Sequence, residues 1–99
     1  MRLCVGLTAP VSQPDVSQMC LSAEQMTVSC SAEGDEVEFI LSLDSNTLIQ
    51  TRAGSAPSQS IYNVTISLHG HLVGTLVCKV QNNVSRKQTV IQVMSCAGS

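Results

Sequence analysis

The stretch that decides the fold is residues 26–30 (MTVSC), in which apolar and hydroxyl side chains alternate up to Cys30. Such alternation is typical of a β-strand with one buried face. A second stretch of this kind, residues 76–80 (LVCKV), carries Cys78 late in the chain. A disulfide between an early and a late strand is typical of an immunoglobulin-like sandwich.

Two further cysteines lie outside this pair: Cys20 precedes Cys30, and Cys96 follows Cys78. Four cysteines allow three pairings, and the sequence does not choose among them. From the strand pattern we expect nested bridges, Cys20–Cys96 outside Cys30–Cys78. A zinc site is the alternative, but close C-x-x-C pairs are absent. Disulfides indicate an oxidising compartment, which is extracellular or a secretory lumen.

The rest of the chain predicts further short strands separated by turn residues. They are residues 36–43, 47–52, 60–68, 73–80 and 87–96. Together with a first edge strand and the strand at residues 25–31, they make seven or eight strands. The side chains expected to point inward are Val37, Phe39, Leu41, Leu43, Tyr62, Val64, Ile66 and Leu68. We therefore predict an all-β sandwich, for which 99 residues suffice as one domain.

Composition limits the core and excludes some partners. One Phe, one Tyr and no Trp leave an aliphatic core, which two bridges would each support by roughly 4 kcal/mol in the entropic model. The net charge of −2 gives no basic footprint for nucleic acid or an anionic membrane surface. No stretch approaches the roughly 20 apolar residues of a membrane span.

The predicted domain organisation has four parts. Residues 1–9 are the tail of a preceding segment or a truncated signal peptide. Their apolar run is shorter than the apolar h-region of a signal peptide, which usually has about 7–15 residues. Residues 10–14, with two prolines, form a linker, and residues 15–96 form the domain. Residues 97–99 begin a following stalk. This organisation indicates a fragment of a larger receptor.

No arrangement of residues suggests catalysis, so we expect no enzyme, no cofactor and no metal. His69 and His71 flank Gly70 and could share one side of a strand, but no third ligand is evident. Two solvated imidazoles are the favoured interpretation. Tyr62 is expected to face inward, which excludes a tyrosine-based signalling motif in this segment.

Two tripeptides are acceptors for N-glycosylation, Asn63-Val64-Thr65 and Asn83-Val84-Ser85. Asn63 is expected on the outward face of its strand and Asn83 in a turn. A bulky sugar on either side chain would leave the core undisturbed. We predict that both are modified.

One cluster of acids has two interpretations. Four of the seven acids lie close together in the sequence, and two basic residues are expected across the sandwich in the turn before the last strand: Glu33, Asp35, Glu36, Glu38, Arg86 and Lys87. They could form an electrostatic docking patch. The preferred interpretation is a solvated turn.

Several stretches together carry a resemblance to a known family: residues 11–14 (VSQP), 26–30 (MTVSC), 33–38 (EGDEVE) and 76–85 (LVCKVQNNVS), followed by Cys96. They resemble the membrane-proximal C2-type immunoglobulin domain of the signalling lymphocyte activation molecule family. The resemblance implies a non-catalytic spacer in a leukocyte adhesion or costimulatory receptor, on the extracellular side of the cell surface. Its partner in the chain would be a preceding V-type domain, through which a protein counter-receptor binds. Membrane contact would come only through a missing anchor.

The sequence departs from the usual immunoglobulin pattern at three points. The strand-C tryptophan is absent, which leaves Leu41 or Phe39 to cover the inner bridge, and Leu76 replaces the tyrosine two residues before Cys78. Cys4 matches nothing in this domain and is left over after the two pairs. The alternative function is a secreted single-domain immunoglobulin protein that binds a partner directly.

Overall fold

The computed structural model describes residues 10–53, 61–70 and 73–96. Cys4, His71 and the predicted tail and stalk segments lie outside these ranges. The described residues form seven strands: β1 Asp15–Ser22, β2 Gln25–Glu33, β3 Glu38–Leu43, β4 Asn46–Arg52, β5 Ile61–His69, β6 Gly74–Gln81 and β7 Arg86–Val93. Among them, no helix is long and apolar enough to cross a membrane.

The strands form two antiparallel sheets, one with the order β1-β2-β5 and one with the order β4-β3-β6-β7. The all-β, immunoglobulin-like prediction is confirmed. The position of β4 is informative, because constant-type domains place their fourth strand beside the strand equivalent to β5. Here β4 pairs with β3 instead, as the C2-type prediction requires.

The core lies between the sheets and follows the predicted alternation. Each of the strands β2, β3 and β6 buries every second side chain; the buried residues of these strands are Met26, Val28, Cys30, Ala32, Phe39, Leu41, Leu76, Cys78 and Val80. Tyr62 is buried, whereas Val64, Ile66 and Leu68 are half-buried and pack against the same cluster. Because β5 is an edge strand, its inward side chains are less completely covered.

Residues 11–14, which the sequence assigns to a linker, pack as part of the sandwich. Val11 is 3% exposed and Pro14 is fully buried. The backbone N–H of Val11 donates to Ser85 Oγ at 2.7 Å. Gly34, with φ of +144°, passes so close that an added Cβ would lie 3.0 Å from Val11 Cα. A glycine is therefore needed where the turn after β2 meets this segment. Whether the segment also joins another domain stays a prediction.

Both predicted disulfides are present. Cys30 in β2 and Cys78 in β6 join the two sheets through the core, with a Cα–Cα distance of 6.5 Å and no solvent exposure. Cys20 in β1 is bonded to Cys96, just after β7, with a Cα–Cα distance of 5.6 Å. This outer bridge lies at one end of the sandwich. The inner bridge thus links the centres of the sheets, and the outer bridge ties the first strand to the last.

Candidate functional site

The described residues offer little for catalysis or metal binding. Within the described ranges, no three His, Cys, Asp or Glu side chains come together as a metal site, and no polar or charged residue is buried. His69 is exposed on β5, and its predicted companion lies in the undescribed stretch 71–72.

The first surface feature is a polar cavity of ≈ 150 Å³ where β3 begins and β6 ends. Its lining includes Asp35, Glu36 and Glu38, with Arg52 from β4. Glu33, which the sequence grouped with these acids, lies on β2 in the other sheet. The predicted acidic cluster thus extends from β2, through Asp35 and Glu36 in the turn that follows, to Glu38 at the start of β3.

Glu38 is held by two amide side chains from neighbouring strands. Gln50 Nε2 donates to one carboxylate oxygen at 2.9 Å, and Gln81 Nε2 donates to the other at 2.7 Å. The pKa of Glu38 is lowered below its ordinary value of 4.5. The largest cause is the hydrogen bond from Gln50, followed by that from Gln81, and the nearby charge of Arg52 adds to them. Glu38 therefore links three strands of the sheet and is not a free acidic side chain.

Asn82 organises the turn between β6 and β7. Its Oδ1 accepts hydrogen bonds from the backbone N–H groups of Val84 and Ser85, both at 3.1 Å. Its Nδ2 donates to the carbonyl of Asp35 at 2.9 Å. Asparagine is suited to this role because its short side chain mimics a backbone turn. The run Asn82-Asn83 is the sequence signal for this turn.

The basic residues lie together on the four-stranded sheet. All four described cations belong to its strands: Arg52 on β4, Lys79 on β6, and Arg86 and Lys87 on β7. The prediction of a turn is wrong for Arg86, which begins β7 and pairs with Gln81. Lys87, which was also predicted to begin the last strand, lies in β7. The β6–β7 ladder thus begins at Arg86, one residue before the predicted start of the last strand.

Three of these cations line one open groove. Lys79, Arg86 and Lys87, with Gln88, line a groove of ≈ 300 Å³ at the edge formed by β7. Lys79 faces Gln88 directly in the β6–β7 register. The sequence carries no signal that places Lys79 near Arg86, since their proximity depends on that register.

Both acceptor asparagines are on the surface. Asn63 is exposed on β5, where it pairs in register with Ser31. The outer face around it carries small hydroxyl side chains, and Ser29 Oγ lies 3.0 Å from Thr65 Oγ1. Asn83 is exposed in the turn that Asn82 organises. Both positions leave room for a glycan, and their modification stays a prediction.

A search of solved structures finds a match with the crystal structure of the MHC-like protein MILL2. The match has a TM-score of 0.57 and 15% sequence identity, and it covers 89% of this chain. The chain spans about a third, 34%, of that protein's chain. At this identity the likeness shows the fold alone, which is immunoglobulin-like.

The other two comparisons give no match. No protein-family model matches the sequence, and no curated protein matches it. The fold therefore stands on the structural likeness and the sheet topology, whereas the resemblance to the signalling lymphocyte activation molecule family rests on the sequence stretches alone.

Proposed function

We propose that this chain is an extracellular, non-catalytic spacer domain of a cell-surface receptor, of the kind found next to the membrane in the signalling lymphocyte activation molecule family. The observation that carries the proposal is the pair of nested bridges. One joins the sheets through the core and one ties the first strand to the end of the last. Such bracing suits a domain that holds another at a fixed distance.

Hydrogen bonds between the β1 edge and the β7 edge should stiffen the side of the sandwich that the Cys20–Cys96 bridge also braces. Gln18 Nε2 donates to the carbonyl of Met94 at 2.6 Å, and the N–H of Met94 donates back to Gln18 Oε1 at 3.1 Å. Thr89 Oγ1 donates to the carbonyl of Pro14 at 2.6 Å. These side-chain bonds join the edges of the two sheets, in addition to the Cys20–Cys96 bridge.

The compartment follows from the same features. Disulfides persist in oxidising environments and are rare in the cytosol. Asn63 and Asn83 are exposed acceptors for the glycans that secretory proteins receive. The immunoglobulin-like fold, shared with an MHC-like protein, is compatible with a receptor-type role. We propose that adhesion itself is carried out by a preceding V-type domain and its protein counter-receptor.

The experiment that tests this proposal has two parts. The first is to extend the transcript on both sides of this segment; the proposal expects a V-type domain upstream and a membrane anchor downstream. The second is to coat beads with the 99-residue chain, with Cys4 blocked, and measure bead attachment to leukocytes. The proposal expects no attachment beyond that of beads coated with unrelated protein.

The second candidate function is a secreted immunoglobulin protein that binds its partner directly. It is favoured by the exposed apolar side chains, of which Met94 at 70%, Met19 at 63% and Val73 at 59% are the most exposed. A stop codon after Ser99 together with a complete signal peptide would support it. Saturable attachment of the bead-bound chain to cells would replace the spacer proposal with this one.

A further inference from the structure

The outer face of the four-stranded sheet has an uneven distribution of charge. Its strands carry every Lys and Arg in the described part of the chain, whereas Glu38 is the one acid on them. That acid is already bound by Gln50 and Gln81. The positive charge on this sheet is therefore concentrated at β6 and β7, although the whole chain has a net charge of −2.

The three cations at the groove have no counter-charge there. The groove is lined by Lys79, Arg86, Lys87 and Gln88, without an acid. Among the described residues, none of the three cationic side chains makes a hydrogen bond or an ion pair. Like charges on neighbouring strands repel one another. A ligand that brings carboxylates into the groove would relieve this repulsion and form charge-assisted hydrogen bonds.

Apolar side chains continue the surface beside the groove. Val90 is 48% exposed on β7 and lies opposite Val77 in the β6–β7 register. Ile40 lies opposite Lys79 on the other side of β6. Apolar side chains flanked by polar and cationic ones are the usual composition of a surface that contacts protein.

We propose that this face, which we call the β6–β7 groove, docks an acidic segment of a protein partner, with carboxylates against Lys79 and Arg86 and an apolar side chain against Val90. Lys87 also lines the groove, but it pairs with the buried Val80, so its side chain starts from the other face of β7. The contact is lateral and adds to the spacer role. An extended sulfated polysaccharide fits less well. Such a ligand needs a longer row of basic side chains. Beyond the groove the sheet instead carries Glu38 on β3, and Asp35 and Glu36 lie beside the start of that strand.

Two peptides of equal length and charge test the proposal, one alternating Glu with Leu and one alternating Glu with Ser. Each is titrated into the unglycosylated, ¹⁵N-labelled 99-residue chain at pH 7 and an ionic strength of about 0.15 M, where the Debye length is about 8 Å. We expect amide shifts concentrated at residues 79, 86–88 and 90. The Leu peptide should bind more tightly, and Val90→Ser should abolish its advantage.

Single neutralisations provide matched controls. Lys79→Gln should weaken binding of the Leu peptide about threefold, and the combined change of Lys79, Arg86 and Lys87 to Gln about tenfold or more, as for exposed charge pairs. Arg52→Gln removes the same charge from the far side of the same sheet and should leave the affinity within about 1.5-fold, given the screening between separated surface charges. The single variants keep the test valid if the triple variant fails to fold.

Three outcomes would overturn the proposal. One is the absence of shifts at the groove, and another is an equal loss of affinity in Lys79→Gln and Arg52→Gln. The third is tighter groove binding by a heparin oligosaccharide of the same charge than by the Leu peptide, which would identify a polyanionic glycan as the ligand class. None of these outcomes depends on what lies beside this segment in the full protein, so the spacer proposal would stand or fall separately.

Discussion

Leu41 lies directly opposite Cys78 in the β3–β6 ladder, and both side chains are fully buried. This is the neighbourhood of the inner bridge, which a strand-C tryptophan covers in antibody domains. Of the two residues that the sequence offered for this role, Leu41 takes the position beside the cysteine, and Phe39 lies opposite Val80. The bridge is thus flanked by an aliphatic side chain.

Leu41→Ala should destabilise the protein by about 2–5 kcal/mol, because it leaves a cavity beside the bridge in a core with few large side chains. The matched control is Ile40→Ala, on the opposite face of the same strand and half-buried, which should cost roughly 1 kcal/mol or less. Urea denaturation of both variants measures the difference. Equal losses would mean that β3 does not present Leu41 to the core.

Asn82 and Asn83 offer a second matched pair. Asn82→Ala removes the acceptor for two backbone N–H groups and the donor to the Asp35 carbonyl. It should cost about 1–3 kcal/mol, since partly buried polar groups lose their partners. Asn83→Ala, at an exposed position, should stay within about 0.5 kcal/mol in unglycosylated protein. Thermal melts would contradict the structure if Asn83→Ala were the more damaging change.

The two disulfides should open in sequence under native conditions. Cys20 is exposed and Cys96 half-buried, whereas Cys30 and Cys78 have no exposure. Because thiol–disulfide exchange requires access to a sulfur, limited dithiothreitol should reduce Cys20–Cys96 first. Alkylation followed by mass spectrometry identifies the freed thiols. Simultaneous release of all four without unfolding would argue against a buried inner bridge.

The hydrogen bonds to Glu38 predict a specific dependence of stability on pH. Since the pKa of Glu38 is lower in the folded state than its ordinary value of 4.5, its contribution to stability is fully present well above pH 4.5. The contribution is lost as the pH falls through the lowered folded pKa. The melting-temperature difference between the wild type and Glu38→Gln should therefore be constant near neutrality and shrink below pH 4.5.

The control for this experiment is Glu24→Gln, which changes an exposed carboxylate in the turn between β1 and β2. Among the described residues this carboxylate accepts no hydrogen bond, so the variant controls for the loss of one negative charge. A difference between the wild type and Glu38→Gln that grows on acidification would have the wrong sign and would refute the hydrogen-bonded arrangement.

The strands were predictable from sequence where burial on one face imposes alternation. Met26, Val28 and Cys30 point inward as expected, and the cysteines on β2 and β6 mark opposite sheets. The same local signal did not show that residues 11–14 pack on the sandwich, because their partners lie far along the chain: Val11 N–H donates to Ser85 Oγ, and both Val11 and Pro14 are buried. Prolines near a chain start predict an extended segment, but not whether it packs.

The candidate groove was only partly predictable. Arg86 and Lys87 are adjacent in sequence, and their charge was visible. Lys79 joins them through the register of β6 with β7, which places it opposite Gln88. A one-residue change of register would send Lys79 to the other face. Surfaces built across strands in this way depend on pairing, which composition and spacing alone do not specify.

The most direct test of the central claim, a sandwich braced by two nested bridges, is disulfide mapping of the chain secreted from eukaryotic cells. Proteolysis without reduction, followed by mass spectrometry, should yield linked peptides for Cys20–Cys96 and Cys30–Cys78, with Cys4 joined to none of the four. Recovery of a Cys20–Cys30 or Cys20–Cys78 peptide from the native protein would contradict the account.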